Sequence, residues 1–179
     1  LNTGLGNLTG SDAITFTLDA GSAAATDLTG LDAKTSVLVG ATAITEITGS
    51  AAEIAAVITA HDANTIDIDG DYTVEITGTD PASLSDLKAI NDDTSGAITL
   101  NAATIDENWS GTASDLAAAF DGITGLTGTI GVTDTPTIAQ LNTIAGKTSG
   151  DVTASIGGTA SALNTGLGNL TGSDAITFT

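Results

Sequence analysis

Seventeen residues, LNTGLGNLTGSDAITFT, stand at Leu1–Thr17 and again, letter for letter, at Leu163–Thr179. Chance does not produce an identity of that length, and a fixed-period identity is the signature of a tandem array whose units stack on one another. The expected organisation is one full repeat period over residues 1–162, followed by the start of the next identical repeat at residues 163–179. The object to explain is then a polymer. The chain reads as an internal window of a larger protein whose targeting signals lie elsewhere, since no signal-peptide pattern marks it.

Charge narrows the partners. Twenty-two acidic residues face three lysines and no arginine, for a net charge of −19. Such a surface repels nucleic-acid phosphates and anionic lipid, so nucleic acid is excluded as a partner. No apolar run is long enough to span a bilayer, so no membrane insertion is expected. Hydrophobic residues make up 41% of the chain and charged ones only 14%, a balance that favours a packed core over disorder. That core is thin, because Ala, Gly and Thr dominate and the aromatics are Phe16, Phe120, Phe178, Tyr72 and Trp109. Thin cores suit stacked coils. With no cysteine there is no disulfide framework and no thiolate chemistry.

A smaller rhythm runs inside the period. Alternation of β-branched or apolar residues with Thr or Asp predicts short strands at Ile14–Thr17, Ser36–Val39, Ile66–Asp69, Thr73–Ile76, Ile98–Leu100, Thr129–Val132, Val152–Ala154 and Ile176–Phe178. Between most of them stands a helical signal, a capping residue followed by aliphatics three or four apart. Ser50 with Glu53 forms a capping box ahead of Ile54, Val57 and Ile58. Asp80 with Pro81 precedes Leu84, Leu87 and Ile90, and Thr135 with Pro136 precedes Ile138, Leu141 and Ile144. Thr112, Thr159 and Ser22 are read as caps in the same way. Thr94-Ser95-Gly96, Thr127-Gly128, Thr148-Ser149-Gly150 and Thr171-Gly172 are read as helix stops.

Strand starts recur about every 23 residues, giving six strand-plus-helix units per period, each too small to bury its own apolar face. Parallel strands joined through helices take the right-handed crossover. The expected fold is therefore α/β: a repetitive right-handed β-α solenoid of short parallel strands and short helices, continuous across tandem repeats. At roughly 4.8 Å per coil, six coils rise about 29 Å.

The unit pattern stands as Ser155-Ile156-Gly157-Gly158-Thr159-Ala160-Ser161-Ala162-Leu163, as Trp109-Ser110-Gly111-Thr112-Ala113-Ser114-Asp115-Leu116, and as Ile47-Thr48-Gly49-Ser50-Ala51-Ala52-Glu53-Ile54. It resembles the tandem repeats of giant secreted and cell-surface proteins of aquatic bacteria, cyanobacterial surface proteins and adhesins with calcium-binding repeats among them. The resemblance covers most of the chain. It implies an extracellular or cell-surface location and a filament, surface-layer or adhesive role. The glycine-rich nonapeptide of calcium-binding β-rolls is absent from this sequence.

Individual sites offer less. Asp67, Asp69 and Asp71 are the calcium candidates, because a hard cation gathers several carboxylates; Gly70 and Ile76 do not fit the helix-loop-helix calcium pattern, and a solvated strand edge and turn accounts for the same letters. Gly4-Leu5-Gly6-Asn7-Leu8-Thr9-Gly10 departs from the dinucleotide fingerprint in its third glycine and in preceding a strand, and is read as a loop. His61, the single histidine, is read as helix-terminal, and Trp109 as a core residue in preference to a carbohydrate platform. Asn7-Leu8-Thr9, Asn108-Trp109-Ser110 and Asn169-Leu170-Thr171 match glycosylation acceptors. No nucleophile-elbow serine accompanies His61, and no catalytic function is expected.

Three classes of function follow. The first is a structural repeat protein that forms an extracellular filament, sheath or surface layer by end-to-end stacking, its partner being itself, with other surface components or glycans as further partners. The alternative is an extender or ligand-binding region of a giant adhesin, stiffened by calcium. A third, ice binding, is suggested by 33 threonines, but Asp67, Asp69 and Glu75 interrupt the ranks such a surface needs.

Overall fold

A computed structural model describes residues 5–179, and Leu1, Asn2, Thr3 and Gly4 of the first repeated copy lie outside the described residues. In chain order the elements of the first half are β1 (Gly21–Ala24), α1 (Ala25–Asp32), β2 (Val39–Gly40), β3 (Ile44–Gly49), α2 (Ala51–Asp62), β4 (Ile66–Asp67), β5 (Thr73–Ile76), α3 (Leu84–Asp93) and β6 (Ile98–Thr99). They are followed by α4 (Ala102–Ile105), β7 (Trp109–Gly111), α5 (Ala113–Ala119), β8 (Ile130–Val132), α6 (Ile138–Ala145), β9 (Val152–Ile156), α7 (Ala160–Gly166) and β10 (Ala175–Phe178). The protein is thus a mixed α/β chain, with seven helices among the described residues and every strand pair parallel.

Two compact units divide these elements, Leu1–Gly78 with Asp92–Leu100, and Thr79–Asn91 with Asn101–Thr179. The first holds a four-stranded sheet in the order β1-β3-β5-β6 and a two-stranded sheet β2-β4. The second holds a four-stranded sheet in the order β10-β9-β8-β7. Spatial order therefore follows chain order within each sheet, as it does when each strand-helix unit lies on the one before. The helices obey the same rule: α1 packs on α2 in the first unit, and α5 on α6 and α6 on α7 in the second.

The apolar spacing explains which faces are buried. Ile54, Val57 and Ile58 of α2, Leu28 and Leu31 of α1, and Ile47, Val74 and Ile76 of the sheet make the first core. Leu116, Phe120, Leu141, Ile144, Ile130 and Ile156 dominate the second. Trp109 is 4% exposed and sits edge-on to Phe120, ring centroids 5.3 Å apart, so it serves the core.

Helix starts follow side-chain chemistry, with three departures from the sequence reading. Ser50 and Glu53 make the expected capping box, and Thr112 and Thr159 cap α5 and α7. In α6, however, Thr137 is the cap and Gln140 reaches back to it, a reciprocal pair that Thr135 lacks. For α3 the Ser83 hydroxyl accepts from the Asp86 amide at 3.1 Å, while the Asp80 carbonyl accepts from the Asn101 side chain. Ser22 lies inside β1, and α1 begins after Ala24 without a side-chain cap.

The Thr-Ser-Gly clusters do more than end helices. Thr94 donates its hydroxyl to the Tyr72 carbonyl at 2.5 Å and accepts from the Gly96 amide at 3.0 Å. Ser95 donates its amide and its hydroxyl to the Gly70 carbonyl at 2.8 and 3.1 Å. The same clasp recurs at Thr148-Ser149-Gly150, tied to the carbonyls of Gly128 and Leu126. It recurs again at Thr35-Ser36, tied to those of Ile14 and Asp12. Each clasp reaches back to a corner 20 to 25 residues earlier, so a threonine hydroxyl, buried at Thr35 and Thr94 and half-buried at Thr148, ties together two segments distant in sequence.

Candidate self-association interface

Residues 9–12 and 171–174, the same four letters in the two copies, fold alike. In the first, the Thr9 amide donates to Asp12 Oδ2 at 2.7 Å and the Thr9 hydroxyl pairs with Ser11 at 2.9 Å. In the second, the Thr171 amide donates to Asp174 Oδ2 at 2.5 Å and the Thr171 hydroxyl pairs with Ser173 at 2.9 Å. This is a local turn in which an aspartate folds back on the backbone three residues before it, and its four residues carry the instruction wherever they stand.

What differs is the neighbour. In a parallel sheet, the amide and carbonyl of one residue face one neighbouring strand and those of the next residue face the other. The first copy uses its even-numbered residues. The carbonyl of Asp12 accepts from the Ser36 amide at 2.8 Å, that of Phe16 from the Gly40 amide at 2.9 Å, and the Leu18 amide donates to the Gly40 carbonyl at 2.8 Å. The Ile14 amide donates to the Thr35 hydroxyl at 3.1 Å. Its neighbour is thus the segment that follows it, residues 35–40.

The second copy uses the opposite edge. Ala175 to Phe178 run in register with Thr153 to Ile156 of β9, and the Thr179 amide donates to the Ile156 carbonyl at 3.0 Å. Thr179 corresponds to Thr17, an odd-numbered residue of the first copy. Two residues reinforce the contact: Asp174 Oδ1 accepts from the Val152 amide at 2.6 Å, and Asn169 donates its amide to Asn142 Oδ1 at 2.7 Å and its side-chain Nδ2 to the Asn142 carbonyl at 2.8 Å. Here the neighbour is the segment before it. Family models, curated proteins and solved structures offer no match to the chain. The functional reading therefore rests on this geometry.

Among the described residues, each copy leaves open the edge that the other fills. Past the second copy, Leu163, Leu167, Leu170 and Phe178 line an apolar groove of about 570 Å³, and Phe178 is 61% exposed while its counterpart Phe16 is half-buried. Helix α7 buries none of its residues.

The calcium candidates Asp67, Asp69 and Asp71 are all exposed, Asp67 on β4 and the others in the turn beyond it. Among the described residues no group of three or more His, Cys, Asp or Glu side chains is arranged to hold a metal ion.

One polar cluster escaped the sequence reading. Asp93, at the end of α3 and within the first unit, accepts from the Tyr72 hydroxyl at 2.6 Å and lies 3.4 Å from His61 Nδ1. The sequence signals were His61 in the last turn of α2 and Asp93 at a helix end, thirty-two residues apart, with nothing to say that Tyr72 joins them. Burial, then the hydrogen bond to Asp93 and the charge it carries, push the Tyr72 phenol well above its ordinary value of 10. The phenol ionises in the unfolded chain near pH 10 and stays neutral in the folded one. Its contribution is fully present below that pH and is lost as pH rises beyond it, by about 1.4 kcal/mol per unit. Tyr72→Phe is expected to cost about 1.5–3 kcal/mol at neutral pH and to flatten the alkaline fall in stability; urea unfolding between pH 8 and 11 measures both.

Proposed function

We propose that this chain is a structural repeat protein of the cell exterior, building an extracellular filament, sheath or surface layer by end-to-end stacking of coils into a right-handed β-α solenoid that runs on through tandem repeats. One observation carries the reading: the same stretch of sequence, residues 12–17 and 174–179, takes a neighbour on one edge in the first copy and on the other edge in the second. A single copy with both neighbours at once joins β9 to residues 35–40, and so extends the β7-β8-β9 sheet into β2-β4 of the next period. In that junction Asp12 meets the amide equivalent to Val152, and Asn7 meets the residue equivalent to Asn142.

The chemistry of the surface suits this role. An excess of nineteen negative charges keeps lateral contacts weak while backbone pairing along the axis stays strong. No reaction is assigned to the chain. Electron cryomicroscopy of the native material tests the proposal, with an expected axial repeat of about 29 Å per period, from six coils of roughly 4.8 Å. Discrete particles without periodicity overturn it. Loss of the filament on calcium chelation would shift the reading to a calcium-stiffened extender of an adhesin, with Asp67, Asp69 and Asp71 as ligands.

A further inference from the structure

We propose that Asn108 is a glycan acceptor, the one Asn-x-Ser/Thr site of three whose asparagine and hydroxyl the fold leaves ready together for N-glycosylation. The inference rests on the cell-exterior reading above, since secreted chains are the ones that meet such sugars, and goes beyond it in naming a modification site and its chemistry.

Asn7, Asn108 and Asn169 are all exposed, so hydrogen bonding is what separates them. Asn169 donates Nδ2 to the Asn142 carbonyl at 2.8 Å, and the same nitrogen lies 2.8 Å from the position that a Cβ on Gly146 would take. The hydroxyl two residues on, that of Thr171, pairs with Ser173 at 2.9 Å and donates to Asp174 Oδ2 at 3.2 Å. The first copy commits the Thr9 hydroxyl in the same way, to Ser11 and Asp12. In both copies the aspartate turn has taken the hydroxyl that completes the acceptor motif.

Asn108 is arranged differently. It stands one residue before β7 and Ser110 follows two residues on, so the two side chains leave the strand on the same side while Trp109 is buried on the other. Asn108 Oδ1 accepts from the Thr129 amide at 3.0 Å and from the Thr129 hydroxyl at 2.8 Å, which fixes the plane of the side-chain amide. Its Nδ2 and the exposed Ser110 hydroxyl make no hydrogen bond among the described residues. Transfer from a glycosyl diphosphate forms a bond from Nδ2 to the anomeric carbon and breaks the bond from that carbon to the phosphate oxygen. The diphosphate leaves with the electron pair, and Nδ2 gives up one of its two protons to a base of the transferase. Oδ1 is untouched, so both bonds from Thr129 survive and the fold carries the sugar without losing a contact.

The purified chain, a soluble N-glycosyltransferase and UDP-glucose test the acceptor, with cleavage after lysine and mass spectrometry as the readout. Lys88 and Lys147 isolate Asn108 on the fragment 89–147, apart from Asn7 and Asn169. Synthetic peptides of each site give the rates without the fold. The rate at Asn108 relative to Asn169 is expected to exceed the same ratio in the peptides on the order of tenfold, the cost of freeing groups already bonded. Ser110→Ala is expected to abolish transfer at Asn108 with Tm unchanged, and Ser110→Thr to retain it. A folded chain that takes sugar at Asn169 as readily as the peptide does, or none at Asn108, overturns the proposal. In native material the fragment 89–147 is expected to carry a glycan, and a preassembled oligosaccharide there identifies a lipid-linked donor, a single sugar a nucleotide-linked one. A bare fragment on protein recovered from the cell exterior overturns the acceptor. Protein found only inside the cell, bare there yet selectively glycosylated in the purified reaction, overturns the exterior reading and leaves the acceptor standing.

Discussion

Gly128→Ala is expected to destabilise the second unit by about 3 kcal/mol, visible as a fall in Tm of roughly 6–12 °C. The reason is contact, not conformation. Gly128 does not lie in the left-handed region, so alanine can adopt its backbone angles; but a Cβ there meets the Glu107 carbonyl oxygen of the preceding corner, with the Asp106 oxygen 2.8 Å away. Those atoms are backbone, held by the amides of Thr127 and Gly128 donating to Ile105, and cannot swing aside as a side chain would. The relation repeats at the next such glycine, where a Cβ on Gly150 meets the carbonyl of Gly128 itself, and in the first unit, where one on Gly96 meets that of Tyr72. Gly168→Ala is the control: nothing stands within 4 Å of its Cβ position, and the change is expected to stay within about 0.5 kcal/mol. Thermal unfolding followed by circular dichroism distinguishes the two. Equal Tm values would mean that the corners do not stack backbone on backbone.

These glycines also show where sequence reading reached and where it stopped. Thr-Ser-Gly was legible as a boundary, because hydroxyls and glycine end helices. Its second role was not, because the partner of Thr94 is a carbonyl 22 residues upstream, and a backbone acceptor leaves no mark in the sequence. Strands with clean alternation, such as Thr73–Ile76 and Val152 onward, were legible for the opposite reason: burial of alternate residues is written in the side chains. Strand β3 was not read as a strand in its own right. Its pairing with β1 skips Thr45, placing Ile44 and Ile47 both inward with two residues between them, and a bulge breaks the period that alternation depends on. Strand β1, Gly-Ser-Ala-Ala, was read as a helix cap because it holds no strand-favouring residue; tertiary pairing alone makes it a strand.

The candidate interface divides the same way. Identity of Leu1–Thr17 with Leu163–Thr179 singled out the segment in the sequence. Only the pairing pattern shows that the two copies face opposite neighbours. The aspartate of the turn looks in sequence like any other acid on a strongly acidic chain. In the structure its two oxygens do different work, one closing the turn on Thr171 and the other holding Val152 of the preceding strand.

Because either copy of the segment can occupy a junction between chains, a decisive variant must alter both. Thr17→Pro and Ile176→Pro together do so. The Thr17 amide points away from residues 35–40, toward the side where Thr179 meets Ile156 in the second copy. The Ile176 amide points away from β9, toward the side where Ile14 meets Thr35 in the first. Proline is tolerated on a strand whose amide faces out of the sheet, so neither change touches a hydrogen bond within the chain. In a junction, each proline removes a donor from a strand that has become central and sets its ring against the incoming edge, at a cost of about 3 kcal/mol or more. Self-association of the double variant is therefore expected to weaken by more than about a hundredfold, with Tm close to that of the parent. Each single variant is expected to retain the pairing that the other blocks, so that the two singles report which copy occupies the junction. Sedimentation velocity over a range of concentrations measures all four proteins. A double variant that assembles like the parent would place the interface elsewhere, since no route through the repeated segment would then remain open.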